Sequence, residues 1–598
     1  MELAAGFASI NRDDWRALAV EVLRRSGVEA DSPEEALSGA TYDGTTIAPL
    51  YDLDDLPGDT GLPGAYPFLR GARAVAGWDV RQRHAVPDPA AVLADLEGGA
   101  TSLWLVVGAG AIPVESLGAV LKDVYLDLAP VVLEAGALAG EAAEVLFALA
   151  AERGVAPRGN LGASGAPGLE LAARCVAGFP GLRAVTVDAT PYHDAGGGDA
   201  DELGCSIARG VAELRVLTGG GLTVAQALEQ IDFRYAATDD QFATIAKLRA
   251  ARRLWARVAE VCGAAEHGAQ RQHAVTSSAM MTARDPWVNL LRTAVACFAA
   301  GVGGAEAVTV QPFDACLGPP DAFSRRIARN TQSLLLEESG LGRVIDPAGG
   351  SYYAERRTAE LAERAWAWFQ EIEAAGGIGA AAGLVSERLA ATRARRDADI
   401  AHRRFPITGV SEFPDIHESP LRRPPTAATA GPAFEPAAGP GAAPAAAAPD
   451  AAAGGLPKVR YARAFEELRD LADARPERPK VFLATIGPPA AYTARAAFAA
   501  NLFGAGGLDT ETAGPGTDPE QIATAFAVSG SRVACLCSTD KLYAQHAAAV
   551  ATALVRAGAR RVWLAGKGQY EGVDANLYTG CDALAVLRQT FDDLEVTR

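Results

Sequence analysis

Cys535 and Cys537 are the closest pair of cysteines in the chain. They stand two apart on a run that reads as a buried strand, 532–537, so their thiols share one face and could bind a metal jointly. No C-x-x-C occurs and no other ligand cluster lies near them, so we read them as buried free thiols. The run Ala565-Gly566-Lys567-Gly568 falls short of a phosphate loop, which needs a longer glycine spacing and a Ser or Thr after the Lys. A third place where chemistry should appear is Pro479–Ala494. There Val481–Ile486 reads as a buried strand, Gly487-Pro488-Pro489 as a turn, and the Ala-rich stretch to about Leu502 as a helix, the opening of a doubly wound domain. Ligands of such sheets sit at the carboxyl ends of the strands. Between Gly487 and Ala494, however, there is no imidazole, carboxylate or thiol, and two prolines remove backbone donors. The glycines at 196–198 and 219–221 read as loop residues. Arg252-Arg253 and Arg422-Arg423 read as solvated or paired with the chain's many carboxylates.

The elements that must position these residues fall into four regions. Residues 1–45 hold one amphipathic helix, Asp13–Arg25, with Trp15, Leu18 and Val22 on one side; it must dock on its own barrel or on a partner subunit. Thr45–Gly71 is rich in turns and aromatics and reads as an ordered arm over a domain face. From about residue 100, short β-branched runs alternate with longer helical ones. Strands are predicted at Ser102–Val107, Pro130–Glu134, Arg158–Leu161, Ala184–Asp188, Asp232–Ala236, His273–Ser277, Ala307–Gln311 and Arg343–Asp346. Amphipathic helices are predicted at Gln241–Cys262, Pro286–Ala299, Ala322–Glu338 and Ala354–Ala374. That count and size match a (β/α)8 barrel, assigned with its arm to 46–420. Residues 424–457 are almost entirely Pro, Ala, Gly and Thr and read as a linker; with a helix at Tyr461–Ala474 they form a connecting region, 421–478. Residues 479–598 alternate again: strands 480–486, 532–537 and 561–565, helices 490–502, 518–528, 540–556 and 582–588. The fold class is α/β, a TIM barrel followed by a long linker and a small flavodoxin-like doubly wound domain.

A chain of 598 residues is too long for one core. With 49% hydrophobic and 21% charged residues it reads as globular and soluble. No apolar run is long enough to span a bilayer, and Met1-Glu-Leu-Ala-Ala-Gly6 lacks the basic start of a signal peptide. The net charge of −18 disfavours nucleic acid, which needs basic patches. Eight scattered cysteines fit reduced thiols, so a cytoplasmic location is expected.

Several stretches carry a family likeness. Arg326-Ile-Ala-Arg329-Asn330-Thr331-Gln332, then Glu337-Glu-Ser-Gly340 and Val344-Ile-Asp-Pro347-Ala-Gly-Gly-Ser351, resemble the barrel of adenosylcobalamin-dependent methylmalonyl-CoA mutases. So do Pro67-Phe-Leu-Arg-Gly71, Arg284-Asp285-Pro286-Trp287, Ile407-Thr-Gly-Val-Ser-Glu-Phe-Pro414 and Phe465-Glu-Glu-Leu-Arg-Asp470. The likeness runs from about residue 50 onward in the family's order.

What the resemblance implies must be checked at each functional position. Catalytic subunits of the family carry Asp-x-His-x-x-Gly after the first strand of the small domain, the His ligating cobalt and the Asp orienting it. Placing Gly487 on the preceding glycine puts Pro489 at the Asp, Ala491 at the His and Ala494 at the Gly, so all three are lost and no metal ligand remains. The family's Thr-Met-Tyr after Phe-Leu-Arg-Gly is missing between Gly71 and Trp78. Gly301-Val-Gly-Gly-Ala-Glu306 stands where the family's Thr-Gln-Gly-His-Thr-Gln wall would contact substrate. Tyr192-His193 matches the family's Tyr-His, whose imidazole polarises the thioester carbonyl. We read it as vestigial, an inherited imidazole held by local hydrogen bonds around Asp194 and Asp199. Heterodimeric members pair a large catalytic chain with a smaller homologue lacking cobalamin. The expectation is that this chain is the non-catalytic partner, inactive alone, in a heterodimer whose large subunit binds adenosylcobalamin and interconverts (R)-methylmalonyl-CoA and succinyl-CoA. The alternatives are an autonomous acyl-CoA mutase that binds cobalamin without a protein imidazole, and a free-standing acyl-CoA or cobalamin-binding module.

Overall fold

The structure is a computed structural model that describes residues 10–58, 60–424 and 455–596. Most of the linker expected at 424–457 therefore lies outside the described residues.

Eight parallel strands close into a barrel: β1 (Asp79–His84), β2 (Ser102–Val106), β3 (Val131–Glu134), β4 (Gly159–Ala163), β5 (Leu182–Asp188), β6 (Ile231–Ala237), β7 (Arg271–Thr276) and β8 (Ala307–Thr309), with β8 pairing β1. Along each strand one set of side chains meets the surrounding helices, as Leu103, Leu105, Phe233 and Tyr235 do, while the alternate set fills the lumen. The helices that matter below are α1 (Arg12–Arg25), α2 (Pro89–Glu97), α3 (Asp199–Gly219), α4 (Gln241–Val261), α5 (Asn289–Val302), α6 (Ala322–Ser333), α7 (Tyr352–Ala374) and α8 (Ala382–Ala401).

The strand expected at Arg343–Asp346 is not one; the first barrel strand is Asp79–His84 instead. Val344 and Ile345 look like strand residues, but Val344 is exposed and Asp346 sits at φ 50°, its carboxylate held by Arg70 and by the buried Arg249. The helix expected to reach Glu338 gives way after Ser333 to a π turn over Leu334–Glu338.

The N-terminal helix also differs from expectation. Asn11 caps α1 through a capping box with Asp14, yet Leu18 and Val22 face solvent at 65% and 61% exposure, and Leu23 is the buried residue. Arg12–Asp52 at 3.4 Å and Arg16–Glu34 fasten the helix to the following segments. The arm at Pro67–Gly71 does lie against the barrel. Arg252, expected to be solvated or paired with a carboxylate, is instead fully buried and donates to the carbonyls of Phe68, Leu69, Gly303 and Gly304. Arg423 pairs with Asp314 and Asp321.

After α9 (Arg463–Asp473) comes a five-stranded parallel sheet: β9 (Lys480–Thr485), β10 (Asp509–Thr512), β11 (Val533–Cys537), β12 (Arg561–Ala565) and β13 (Ala575–Leu577). Its spatial order is β10-β9-β11-β12-β13, the flavodoxin-like order. Helices α10 (Pro489–Ala505), α11 (Pro519–Ser529), α12 (Asp540–Arg556) and α13 (Ala583–Asp593) cover it. Val481 and Leu483 enter one buried layer and Phe482 and Ala484 the other, so the sheet is apolar on both faces.

Candidate functional site

Two places could hold a ligand: the C-terminal mouth of the barrel, and the crevice at the carboxyl ends of β9 and β11 where the sheet order reverses.

At the barrel, the lumen-facing side chains of β6 and β2 close the axis. The Arg234 guanidinium lies 4.0 Å from the Trp104 ring centroid and donates to Glu134 at 2.9 Å and Asp188 at 2.7 Å. Trp104 donates its indole N–H to the same Glu134 carboxylate at 2.9 Å. His273 meets the Trp104 ring edge-on and accepts from Arg234 Nε at 3.3 Å, which leaves its Nε2–H to donate to Thr309 Oγ1 at 2.8 Å. Burial, then the cations Arg81 and Arg234, hold His273 well below the usual imidazole range, so it is neutral. The Arg83 guanidinium lies 5.1 Å from the Trp104 ring centroid. Sequence reasoning passed over this constellation. The available signal was alternation: with Phe233 and Tyr235 facing helices, Arg234 had to face the lumen.

Tyr192 and His193 lie on the one-turn helix after β5, above this layer. His193 is buried and its Nε2 lies 2.6 Å from Ser277 Oγ, with Nδ1 4.0 Å from Glu202. Its hydrogen bond thus runs to β7's end and not to Asp194 or Asp199. Beneath it the fully buried Lys247 bridges Asp199 at 2.9 Å and Glu202 at 2.8 Å. Burial, then Lys247 and Arg396, push His193 down to about 3, and burial pushes Glu202 up to about 7. The Nε2 of this neutral imidazole is engaged with the serine and is not open to a carbonyl at the mouth. Returning chain also crosses this face: Val459 N donates to Asp194 O at 2.8 Å and Tyr461 N to Ala279 O at 2.9 Å, both beyond strand ends.

Gly301–Glu306 and Trp78 lie at the opposite end of the barrel. Asp79 N donates to Glu306 O at the start of β1, and a Cβ on Gly301 would fall 2.3 Å from the Trp78 ring. Trp78 itself donates to Gln332 at 3.0 Å. This run therefore packs the N-terminal rim, away from the mouth where a substrate would enter.

In the second crevice the turn positions Pro489, Ala491 and Ala494 all fall in the first turns of α10. Between Gly487 and Ala494 the only polar side chains are Tyr492 and Thr493, and Thr493 is bonded back to Pro489 O. The crevice is filled by the chain itself. Arg495 donates to Ser538 O at 2.7 Å and Asp540 at 2.6 Å, with its guanidinium 5.0 Å from the Tyr543 ring centroid. Tyr543 Oη lies 2.9 Å from the carbonyls of Leu536 and Ala565 and accepts from Ser538 N. Gly487, at φ 97°, is pressed so close to Leu542 that a Cβ would fall 2.5 Å from it. The domain's one imidazole, His546, is on the second turn of α12. These residues do not fit a corrin whose lower face needs an imidazole and whose nucleotide tail needs an open crevice. Cys535 and Cys537 do share one face, both buried, and burial raises the Cys535 thiol. Among the described residues no group of three or more His, Cys, Asp or Glu is placed to hold a metal, and no helix is long and apolar enough to cross a membrane.

The family profile described as Methylmalonyl-CoA mutase matches residues 168–429. The chain is 54% identical to "Methylmalonyl-CoA mutase small subunit" of Streptomyces virginiae, over 100% of this chain and 98% of that protein. It is 39% identical to the protein of the same name from Propionibacterium freudenreichii subsp. shermanii, over 100% and 97% of the two chains. To "Methylmalonyl-CoA mutase" of Cereibacter sphaeroides it is 30% identical, over 68% of this chain and 65% of that one.

Proposed function

We propose, from the premise that this chain belongs to the methylmalonyl-CoA mutase family and within it to the chains named small subunits, that it is the non-catalytic subunit of a heterodimeric mutase. Its partner is a larger homologous chain that binds adenosylcobalamin and interconverts (R)-methylmalonyl-CoA and succinyl-CoA in the cytoplasm. This chain contributes a second copy of the fold, packs against the partner pseudo-symmetrically, and helps keep the partner's site closed to water.

The observation that carries the reading is the crevice of the C-terminal domain. Arg495, Tyr543 and Leu542 occupy it, and the turn leading to it offers alanine where an imidazole would be needed. The closed lumen of the barrel supports the same reading, because an acyl chain entering along the axis would have to displace Trp104 and the ion-paired Arg234. Vestigial Tyr192 and His193 take no part.

Co-expression with candidate large subunits tests this. The expected result is a one-to-one pair of unlike chains holding one cobalamin per pair, and no cobalamin retained by this chain alone. Stoichiometric cobalamin binding with turnover by the isolated chain would overturn the proposal and favour an autonomous mutase.

A further inference from the structure

Three elements meet behind the first barrel strand: β1 itself and the helices α2 and α6. Gln82 and His84, two apart on β1, share one face of the strand, and His84 meets Asp95 of α2 there. Arg329 of α6 pairs with the same Asp95. Gln332, one turn along α6, accepts from the Trp78 indole immediately ahead of β1. All five side chains are 8% exposed or less. Among the described residues, one polar atom of each is buried without a hydrogen-bond partner: Gln82 Oε1, His84 Nε2, Asp95 Oδ2, Arg329 Nε and Gln332 Nε2. Buried polar groups in folded proteins are bonded to protein or to ordered water, so five in one layer call for a partner that these side chains do not supply.

The five are not placed to satisfy one another. The Trp78 N–H fixes the Gln332 oxygen, which turns the amide nitrogen the other way. The Arg329 guanidinium lies against Gly98 at the end of α2, where a Cβ would strike it, and its pairing with Asp95 Oδ1 holds it there. His84 Nε2 and Asp95 Oδ2 stand 3.4 Å apart without a hydrogen bond. Burial, then Arg325, hold His84 down to about 4, so the imidazole is neutral and this contact is not an ion pair. Arg325 Nε is 3.9 Å from Asp95 Oδ2, outside hydrogen-bond range.

The mixture of donors and acceptors identifies the class of ligand. Arg329 Nε and Gln332 Nε2 donate, Gln82 Oε1 and the Asp95 carboxylate accept, and the nitrogen of a neutral His84 does either according to its tautomer. A metal cation would face Arg329 and Arg325, and an anion would face Asp95. Water, which both donates and accepts, meets all five.

We propose that this layer is a hydration site of the folded chain: roughly one or two water molecules, enclosed between β1, α2 and α6, bridge the five atoms and form a fixed part of the barrel wall. A crystal structure of the full chain, at a resolution that shows ordered water, tests it without any variant. The expected result is density between the three elements, within hydrogen-bond distance of at least three of the five atoms and present in every independent copy. A dry layer, with the same side chains turned to bond one another directly, overturns the proposal. So does density whose contacts are shorter than water makes, which would be an ion. In solution, Gln82→Leu with His84→Leu replaces two of the partners by apolar surface. Relaxation dispersion of the solvent oxygen should then lose the amplitude of roughly one or two long-lived water molecules relative to the parent. Equal amplitude from a double variant that still melts cooperatively overturns the proposal as well.

Discussion

Under the proposed non-catalytic role, His193 keeps its place in the barrel without a catalytic task. The imidazole still follows a barrel strand, but its Nε2 is committed to Ser277 and the charges beneath it are balanced among Lys247, Asp199 and Glu202. In the assembled complex His193→Gln should leave kcat and KM within about twofold, while its unfolding free energy drops by roughly 1–3 kcal/mol through the lost buried hydrogen bond. The pH dependence has a definite sign. An unfolded His protonates near 6.5 and the folded one only at about 3, so the unfolded state binds the extra proton in between. Stability from this group is lost as the pH falls below about 6.5, and His193→Gln should flatten that part of the acid limb in a series of thermal melts. At the crevice, restoring ligand chemistry alone should fail. Pro489→Asp with Ala491→His supplies the missing donors, yet Arg495 and Tyr543 still fill the space, so equilibrium dialysis should find no stoichiometric cobalamin. Tight binding by that double variant would mean that the crevice opens freely.

Among the elements, the short hairpin of Gly39–Ala40 and Thr46–Ile47 shows how the N-terminal region is fastened. Its tip enters between three helices: Tyr42 donates to Asp399 of α8 at 2.9 Å, Arg395 and Arg364 bond the carbonyls of Tyr42 and Gly44, and Asp43 accepts from Ala200 N of α3 at 2.7 Å. Asp43 is thus set beside Asp199 and Asp201 of α3, with Arg357 of α7 as the facing cation and Lys247 of α4 spent on Asp199. Burial, then Asp199, raises Asp43 to about 7 against an ordinary 3.8. The docked tip therefore holds its proton more tightly than the free one, so docking strengthens as the pH falls from about 7 towards 3.8 and is level above about 7. Amide exchange across 39–47 should slow accordingly on acidification, and Asp43→Asn, neutral at every pH, should abolish that dependence. The same region marks the boundary of what could be read from sequence. Barrel strands with alternating apolar residues were legible, as were β9, β11 and β12. Asp79-Val-Arg-Gln-Arg-His84 was not, because Gln82 and His84 are polar yet buried, His84 beside Asp95 of α2, and the alternate residues Arg81 and Arg83 are charged. Edge strands β10 and β13, three or four residues long and partly exposed, carried too little pattern. The emptied turn at Pro489 and Ala491 was legible because loss of a ligand is a property of residue type. The placing of Arg495 against Ser538 was not, since it depends on where α10 sets a side chain four residues past Ala491.

At the scale of the whole molecule, the stretches that carry the family likeness do mechanical work more than chemistry. Arg284 pairs with Glu418, Asp470 and Asp473, Glu466 accepts from Ala283 N, and Arg469 donates to Asp415 O, so the connecting helix α9 is fixed to the barrel. Arg329 pairs with Asp95 and Gln332 accepts from Trp78, tying α6 to α2 and to the start of β1. These signatures therefore hold elements together without calling on any ligand. One apolar core also crosses the junction: Ile400, Ile407 and Val410 from the barrel's end pack with Phe465 and Leu468 of α9 and with Val481, Leu502 and Leu587 of the C-terminal domain. A shared core couples the two parts thermodynamically, since neither can unfold without exposing the other's apolar face. Calorimetry should then show the barrel and the C-terminal domain melting in one transition. Phe465, fully buried at the centre of that core, is the residue on which the coupling turns. Phe465→Ala should cost about 3–5 kcal/mol and split the melt in two, with the C-terminal domain leaving first. Two resolved transitions in the parent chain would show instead that the domains are joined only by their linker.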